Sequence, residues 1–219
     1  MSKQKIIGIF GCEQTDICIY LASILENMKT HVLVVDNSFE QKMQFCIPRP
    51  EKQLPIVTYK NVDYMLHCDK DAWSVTGYDY IIINLGSWPG EEDLEACDEL
   101  LGVMNCELAQ IINYRELIGK LKRPTSIVFR NYCRRYMDAR KITEQLGVDN
   151  CFVAEHFFLP FSEEDECCRL TMQAEGYQSF TNISKEFEKA LFRICRTICN
   201  QDFSKVLGGL RRAKKGECF

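Results

Sequence analysis

Small and polar residues that could bind a ligand stand directly after four short apolar segments of this sequence. They are Gly11 to Asp16, Asp36 to Ser38, Asn84 to Ser87, and the pair Arg130 and Asn131. The apolar segments are typical of buried strands, and parallel strands of one sheet end at a common edge, beyond which open α/β sheets bind their ligands. The sequence therefore predicts one rim that collects these side chains into a candidate binding site.

The cysteines and histidines do not form a pattern typical of metal binding or catalysis. The chain has 13 cysteines, an odd number with no C-x-x-C pair, and three isolated histidines. Zinc sites usually show close ligand pairs, and reduced cysteines commonly act as small hydrophobic side chains. Cys195 and Cys199 would share one face of a helix, which is also what a buried apolar stripe would show. We therefore predict no metal site. No cysteine stands out as a catalytic residue, although the sequence leaves a functional cysteine open.

Length and charge indicate an ordinary globular protein with one core. The 219 residues are 46% apolar and carry a net charge of −4, which suits a single α/β domain. No segment approaches the roughly 18 apolar residues of a membrane span, and the first residues lack the apolar stretch of a secretory signal. We expect a cytoplasmic protein.

Strand and helix patterns alternate along the chain. Lys5 to Gly11 and His31 to Asn37 are apolar runs typical of buried strands, and the residues between them show helical spacing. This arrangement predicts a right-handed β-α-β unit. Further strands are predicted at 56–59, 78–87, 100–105, 126–131 and 151–159, with helices at 62–66, 91–99, 107–121, 137–146 and 185–200. The predicted fold class is α/β, a doubly wound, mostly parallel sheet flanked by helices, within residues 1–200.

The order of these segments resembles the MinD/ParA branch of the P-loop NTPases, including its atypical members associated with pilus assembly and pole localisation. The resemblance runs from about Lys5 to Asn200. It is carried by IIGIFG before a helix with YLASIL, HVLVVD, YDYIIINLG, CDELLGVMNCELAQIINYRELIGKL, SIVFRNY before KITEQLG, and FFLPFSEED. It implies a P-loop NTPase-like sheet with a nucleotide site at the predicted rim.

The resemblance also implies a phosphate-binding loop, and this sequence departs from it. Family members bind ATP through a glycine-rich loop whose amides cradle phosphate oxygens, while a lysine reaches the β- and γ-phosphates. The matching segment is shorter and has one glycine and no lysine: it reads Gly11, Cys12, Glu13, Gln14, Thr15, Asp16. The carboxylates of Glu13 and Asp16 would repel a triphosphate at close range. Thr15 matches the hydroxyl position that holds magnesium in the family.

The other nucleotide-binding positions have changed as well. Asp36 keeps the acid that the family places after its second strand, but Asn84 stands in place of the magnesium-associated aspartate. Arg130 occupies the place of a base-contacting asparagine, and Asn131 is shifted by one position. The resemblance thus predicts a vestigial nucleotide site without ATP or magnesium. An alternative, left open by the sequence, is that Asp36 and Asn84 cap neighbouring loops.

The C-terminal segment 201–219 is basic, whereas the rest of the chain is acidic. From Phe203 onward the net charge is +4, which leaves −8 for the preceding residues. Apolar residues at helical spacing lie beside basic ones: Phe203, Val206, Leu207 and Leu210, with Arg211, Arg212, Lys214 and Lys215. The segment resembles the membrane-targeting helix of MinD proteins, which implies docking on an anionic membrane or a partner. We expect the fold to tolerate its deletion, because the last predicted core helix ends near Asn200. The alternatives are a disordered basic end and a helix docked on the acidic body.

Two hypotheses for function follow. The first is a non-catalytic, ATPase-like scaffold or positioning factor, which by resemblance would act with protein partners at the cytoplasmic face of a membrane machine such as a pilus assembly system, as a monomer or a homodimer. The second is a divergent ATPase in which Lys3, Lys5 or a partner subunit's lysine replaces the missing one. Nucleic-acid binding is disfavoured, because it needs a basic surface and the body is acidic. Apart from the tail, only the cluster of Arg134, Arg135, Arg140 and Lys141 could supply such a surface.

Overall fold

Strands and helices alternate along most of the chain. A computed structural model describes residues 4–48, 54–66, 75–121, 123–133, 135, 138–147, 153–177, 180 and 182–216. The strands are β1 (Lys5–Gly11), β2 (Val32–Asp36), β3 (Val57–Tyr59), β4 (Val62–Met65), β5 (Tyr80–Gly86), β6 (Glu99–Asn105), β7 (Thr125–Tyr132) and β8 (Val153–Pro160). The helices are α1 (Thr15–Glu26), α2 (Met43–Cys46), α3 (Glu91–Glu95), α4 (Leu108–Leu121), α5 (Ala139–Leu146), α6 (Glu163–Glu175), α7 (Lys185–Cys199) and α8 (Phe203–Lys215).

One eight-stranded sheet runs through the molecule in the order β3-β4-β2-β5-β1-β6-β7-β8. All neighbouring strands are parallel except β3 and β4. The chain extends the sheet to one side of β1 with β2 to β5 and to the other side with β6 to β8. The carboxyl ends of β1, β2 and β5 therefore meet near the topological switch point, where ligands bind in such sheets. The doubly wound, mostly parallel sheet predicted from the sequence is confirmed.

A hairpin occupies the part of the chain where the sequence predicts a helix at 62–66. That prediction is wrong, because β4 pairs antiparallel with β3. Lys60 and Asn61 join the two strands with φ of 50° and 64°, the left-handed geometry of a two-residue hairpin turn. Val62 and Tyr64 are both buried, which is the period-two pattern of a strand. So short a segment cannot be assigned from helical spacing, since it covers little more than one turn.

Apolar side chains alternate along the strands and form a core on each face of the sheet. Ile7 and Ile9 of β1 share one core with buried residues of α1, α7 and α8. Phe10 of the same strand belongs to the other core, with residues of α3, α4 and α5. Both faces are therefore covered, as a parallel sheet requires, and the covering helices hold the strand ends in a fixed arrangement at the rim.

Candidate functional site

The loop that joins β1 to α1 consists of Cys12, Glu13 and Gln14. Gly11 ends β1 with φ of 120°, and a Cβ at this position would lie 1.8 Å from the carbonyl oxygen of Val103 in β6. The close approach of β6 therefore requires this glycine. The N–H of Cys12 donates to the same oxygen at 2.9 Å. This tight turn is too short for the glycine-rich cradle that binds phosphate groups.

A buried ion pair lies at the start of α1. Arg130 of β7 and Asp16 in the first turn of α1 are each 2% exposed. The guanidinium donates to both carboxylate oxygens, from Nη1 to Oδ1 at 2.8 Å and from Nη2 to Oδ2 at 2.7 Å. Nη1 also donates to the carbonyl oxygen of Glu13 at 2.7 Å. Bidentate geometry and the additional hydrogen bond compensate both charges in the interior.

Further charged side chains extend this pair across the rim. The carboxylate of Glu13 lies between two guanidinium groups, with Oε2 3.7 Å from Nε of Arg130 and Oε1 3.5 Å from Nη2 of Arg169 in α6. Arg169 also donates to Oε2 of Glu166 at 2.6 Å. Burial alone would lower the pKa of Arg130, but the carboxylates around it, chiefly Asp16, outweigh burial and raise the pKa. The guanidinium therefore stays charged and ties β7 to the loop after β1.

A second buried network joins that loop to the ends of β5 and β2. Nε2 of Gln14 donates to Oδ1 of Asn84 at 2.8 Å, and Nδ2 of Asn84 donates to Oδ1 of Asp36 at 3.0 Å. Asp36 also accepts hydrogen bonds from the N–H and hydroxyl of Ser38 and from the N–H of Met43. These contacts match the alternative in which Asp36 and Asn84 cap neighbouring loops.

The carboxylate of Asp36 is engaged by the chain itself. Its side chain is fully buried, and both of its oxygens accept hydrogen bonds from protein groups. Burial raises the pKa of this carboxyl group, and the hydrogen bonds from Ser38 and Met43 oppose the rise. Asp36 therefore stabilises the segment after β2.

The residues at the rim do not fit a complex of magnesium with a triphosphate. At the N-terminus of α1, where the sequence resemblance implies a phosphate, Glu13 and Asp16 form ion pairs with Arg130. The side chain of Thr15 is 5% exposed, so its hydroxyl is not displayed to a solvent-side ion. Within the described ranges, no group of three or more His, Cys, Asp or Glu side chains is arranged to hold a metal ion.

Lys5 is not placed to replace the missing lysine. It begins β1 at the opposite end from Gly11, and a strand of that length separates the two by about 20 Å. Its ammonium group donates to the carbonyl oxygen of Ile198 at 2.6 Å and lies 3.0 Å from Oε1 of Glu99. Lys3, the other lysine suggested by the sequence, lies outside the described residues.

The structure thus brings the predicted rim residues together, but as two internal networks. Asn131 lies at an irregularity of β7, with φ of 58°, and is half-buried. The sequence prediction included Gln14 only as part of the segment Gly11 to Asp16, and it missed Glu166 and Arg169. One available signal was Arg130 itself, because an arginine inside an apolar strand needs a buried carboxylate as its partner.

The basic C-terminal segment forms α8, and α8 packs against α1 and α7. Val206, Leu210 and Ala213 are buried in the same core as the apolar face of α1. Phe203 is 55% exposed, and Leu207 is half-buried. The expectation of an apolar stripe open to a membrane is therefore corrected, because two of its four residues, Val206 and Leu210, are already covered by the body.

Polar contacts fix α8 in the same position. The guanidinium of Arg212 donates to the carbonyl oxygen of Asn27 at the end of α1. The ammonium group of Lys214 donates to the carboxylate of Glu188 in α7 at 2.6 Å. Arg211 and Lys215 are exposed. The segment is therefore the helix docked on the acidic body that the sequence left open as an alternative.

We expect the folded chain to stay in the supernatant when it is sedimented with phosphatidylglycerol vesicles at moderate salt, because the stripe of α8 is covered. At low salt, the exposed Lys205, Arg211 and Lys215 should retain weak binding, at about 1 kcal/mol for each basic residue near the surface. Replacing these three by glutamine should abolish the low-salt binding. If the chain sediments with the vesicles at moderate salt, and Leu207→Glu abolishes this, the docked arrangement is contradicted.

The chain is similar in fold to solved structures, whereas no family model and no curated protein matches its sequence. A chain of the MinC:MinD cell division protein complex of Aquifex aeolicus aligns with 90% of this chain and 97% of its own, at 16% identity and a TM-score of 0.68. The MinD cell division protein of Aquifex aeolicus aligns over 98% of both chains, at 16% identity and a TM-score of 0.56. A plasmid partition protein of Borrelia burgdorferi aligns with 78% of this chain and 97% of its own, at 14% identity and a TM-score of 0.50.

These similarities show that the fold is that of the MinD/ParA-type P-loop NTPases. None of the helices in the described part of the chain is long and apolar enough to span a bilayer.

Proposed function

We propose that the chain is a non-catalytic scaffold or positioning factor, a pseudo-ATPase that has kept the MinD/ParA-type fold and given up its nucleotide chemistry. The observation that carries this proposal is the buried pair of Arg130 and Asp16, which fills the start of α1 where a phosphate loop and its lysine would act. A protein that uses this place for its own ion pair offers no site there to ATP.

Electrostatics support the same conclusion. Two unit charges of like sign at 4 Å repel by about 4 kcal/mol at an effective dielectric constant of about 20. The carboxylates of Glu13 and Asp16 are balanced by Arg130 and Arg169, so a triphosphate at the start of α1 could attract these guanidinium groups only by leaving the carboxylates unpaired beside it, and the loop has no lysine to offset them. Arg130 cannot serve as that cation, because both of its Nη atoms already donate to Asp16.

The partners we propose are proteins of a membrane-associated assembly, such as a pilus assembly system, at its cytoplasmic face. The support is the resemblance in the order of sequence segments, together with a neighbour in fold that belongs to a protein complex. The acidic body, with a net charge of −8 before Phe203, argues against nucleic acid as a partner. A homodimer would need an interface that works without ATP.

Cell fractionation tests the proposed location at the cytoplasmic face of a membrane assembly. A tagged chain found only in the soluble fraction would contradict this location.

We expect no ATP hydrolysis by the purified chain, because the rim lacks both the lysine that stabilises the transferred charge and the magnesium-linked aspartate. A phosphate-release assay with excess magnesium and ATP measures this directly. Asp36→Ala and Thr15→Ala serve as matched controls, since contaminating activity would be the same in all three preparations. If the unmodified chain hydrolyses ATP and either substitution abolishes this activity, the proposed function is contradicted.

A further inference from the structure

A groove of about 440 Å³ lies beyond the carboxyl ends of β2 and β5. Its walls are the segment after β2 and the segment between β5 and α3, and they include Ser38, Phe39, Glu40, Ser87, Trp88 and Asp93. Asp36 and Ser38 of the second buried network also line the groove. Neither network uses the aromatic side chains of the groove, so these side chains remain available for a ligand.

Two large aromatic side chains stand exposed in this groove. Phe39 is 100% exposed and Trp88 is 72% exposed. The ring of Trp88 stacks on Tyr114 of α4, with a centroid distance of 6.4 Å and an interplanar angle of 4°. The hydroxyl of Tyr114 in turn donates to the carbonyl oxygen of Ser87 at 3.5 Å. Exposed aromatic rings grouped at a groove are typical of interaction sites, and this stacking holds one of them in a fixed position.

The two walls of the groove are held together by polar contacts. The hydroxyl of Ser87 donates to Oε1 of Glu40 at 3.0 Å, and the N–H of Asn37 donates to the carbonyl oxygen of Asn84 at 2.9 Å. Gly86 adopts φ of 72°, and a Cβ there would lie 3.0 Å from Cβ of Ser38. The segments therefore approach closely, and a ligand would meet a preformed surface whose ordering cost is low.

The charge of the groove is negative. Segments 36–42 and 86–93 contain five acidic residues, and Lys42 is their single basic residue. Glu40 and Asp93 line the groove itself, while Glu91 and Glu92 are exposed in the first turn of α3. Phosphate groups and nucleic acids would be repelled by these carboxylates, whereas arginine and lysine side chains would be attracted by them and by the faces of the aromatic rings.

We propose that this groove binds an arginine- or lysine-rich segment of a partner protein. The inference rests on the proposed function, since it assigns to the scaffold the surface by which it holds a partner. A basic side chain of the partner lies against Trp88 and pairs with Glu40 and Asp93, and its neighbouring apolar side chains cover Phe39. Charge complementarity sets the class of partner, and the aromatic side chains supply the area that leaves water.

The fluorescence of Trp88 tests this proposal. The chain has two tryptophans, so Trp73→Phe leaves Trp88 as the sole reporter. The probe is an acetylated octapeptide of alternating arginine and alanine, with a counterpart that has glutamine in place of every arginine. We expect saturable quenching or a shift of the Trp88 emission with the arginine peptide, at a Kd of roughly 10 to 100 μM in low salt, and no change with the glutamine peptide.

Substitutions locate the binding surface. Glu40→Gln combined with Asp93→Asn should raise the Kd of the arginine peptide by about tenfold, and Phe39→Ala should raise it by severalfold. Glu95→Gln is the matched control, because Glu95 is an exposed acid of the same helix that does not line the groove. Equal affinities of the control and the double variant would overturn the proposal. So would an emission change that depends on protein concentration alone, which would assign the groove to a second copy of the chain.

Failure of the peptide test leaves the proposed function separately testable. Nucleotide binding and hydrolysis are measured at the start of α1, and the Glu40 and Asp93 variants leave Arg130 and Asp16 unchanged. A scaffold with a different docking surface would not bind the arginine peptide and would still bind no ATP. A true ATPase would release phosphate in the hydrolysis assay, whatever the result with the peptide.

Discussion

Replacing Arg130 by methionine should lower the free energy of unfolding by about 3 to 5 kcal/mol, because it leaves the buried Asp16 carboxylate without its partner. The loss includes the hydrogen bond to the carbonyl oxygen of Glu13. Urea unfolding monitored by circular dichroism measures the change. The expected effect is large for a single substitution, because an uncompensated charge in the interior is among the few strongly destabilising changes.

A double variant separates the ion pair from a general packing effect. Arg130→Met combined with Asp16→Ala removes both charges, and it should recover most of the loss, since apolar replacement of a buried pair is often close to neutral. Arg211→Met is the control, because Arg211 is an exposed arginine of α8 and its replacement should change stability by less than about 0.5 kcal/mol. An Arg130→Met chain as stable as the control would contradict the account of this pair.

Leu210→Ala should destabilise the chain by about 2 to 5 kcal/mol, because Leu210 is 3% exposed in the core shared with α1. Leu207→Ala is the matched control on the same helix, and the half-buried position of Leu207 predicts a smaller loss of stability.

Deletion of α8 should destabilise the fold further, since it uncovers the apolar face of α1. This expectation replaces the sequence-based one, in which the fold tolerates the deletion. Unfolding curves in urea decide between them, and an unchanged midpoint for Leu210→Ala would contradict the docked position.

The two adjacent glycines of α8 give a sharper test of its orientation. A Cβ on Gly209 would lie 2.5 Å from Cγ of Met28 and 2.8 Å from the carbonyl oxygen of Ile24, whereas a Cβ on Gly208 would meet only the end of Arg212 at 3.4 Å. Gly208→Ala should therefore stabilise the chain by up to about 1 kcal/mol through helix propensity. Gly209→Ala gains the same propensity and should still lower stability, because α8 must move away from α1.

The sheet was predictable because its signal is local. Each parallel strand is a nearly continuous apolar run, such as the one in β5, and glycine or polar residues mark its ends. The hairpin of β3 and β4 was not predictable in the same way. Its turn uses Lys60 and Asn61 at positive φ without glycine, so the usual signature of a two-residue hairpin turn is absent from the sequence.

The site was predictable in position but not in pairing. The carboxyl ends of parallel strands meet at one rim, so Asp36 and Asn84 were expected to lie close together. The bidentate pair of Arg130 and Asp16 joins residues that are 114 positions apart, and its geometry depends on β7 lying only one strand away from β1, which leads into α1. The docking of α8 was likewise not visible, because an apolar stripe in a sequence does not reveal what covers it.

A calorimetric titration of the purified chain with ATP and magnesium tests the central claim most directly. We expect no saturable heat up to a nucleotide concentration of about 1 mM, since the start of α1 holds the chain's own ion pair and has no lysine. Saturable binding of one ATP per chain with a Kd in the range of about 1 to 10 μM, lost on Asp36→Ala, would contradict it and make the chain an ATP-binding protein with a non-standard phosphate loop.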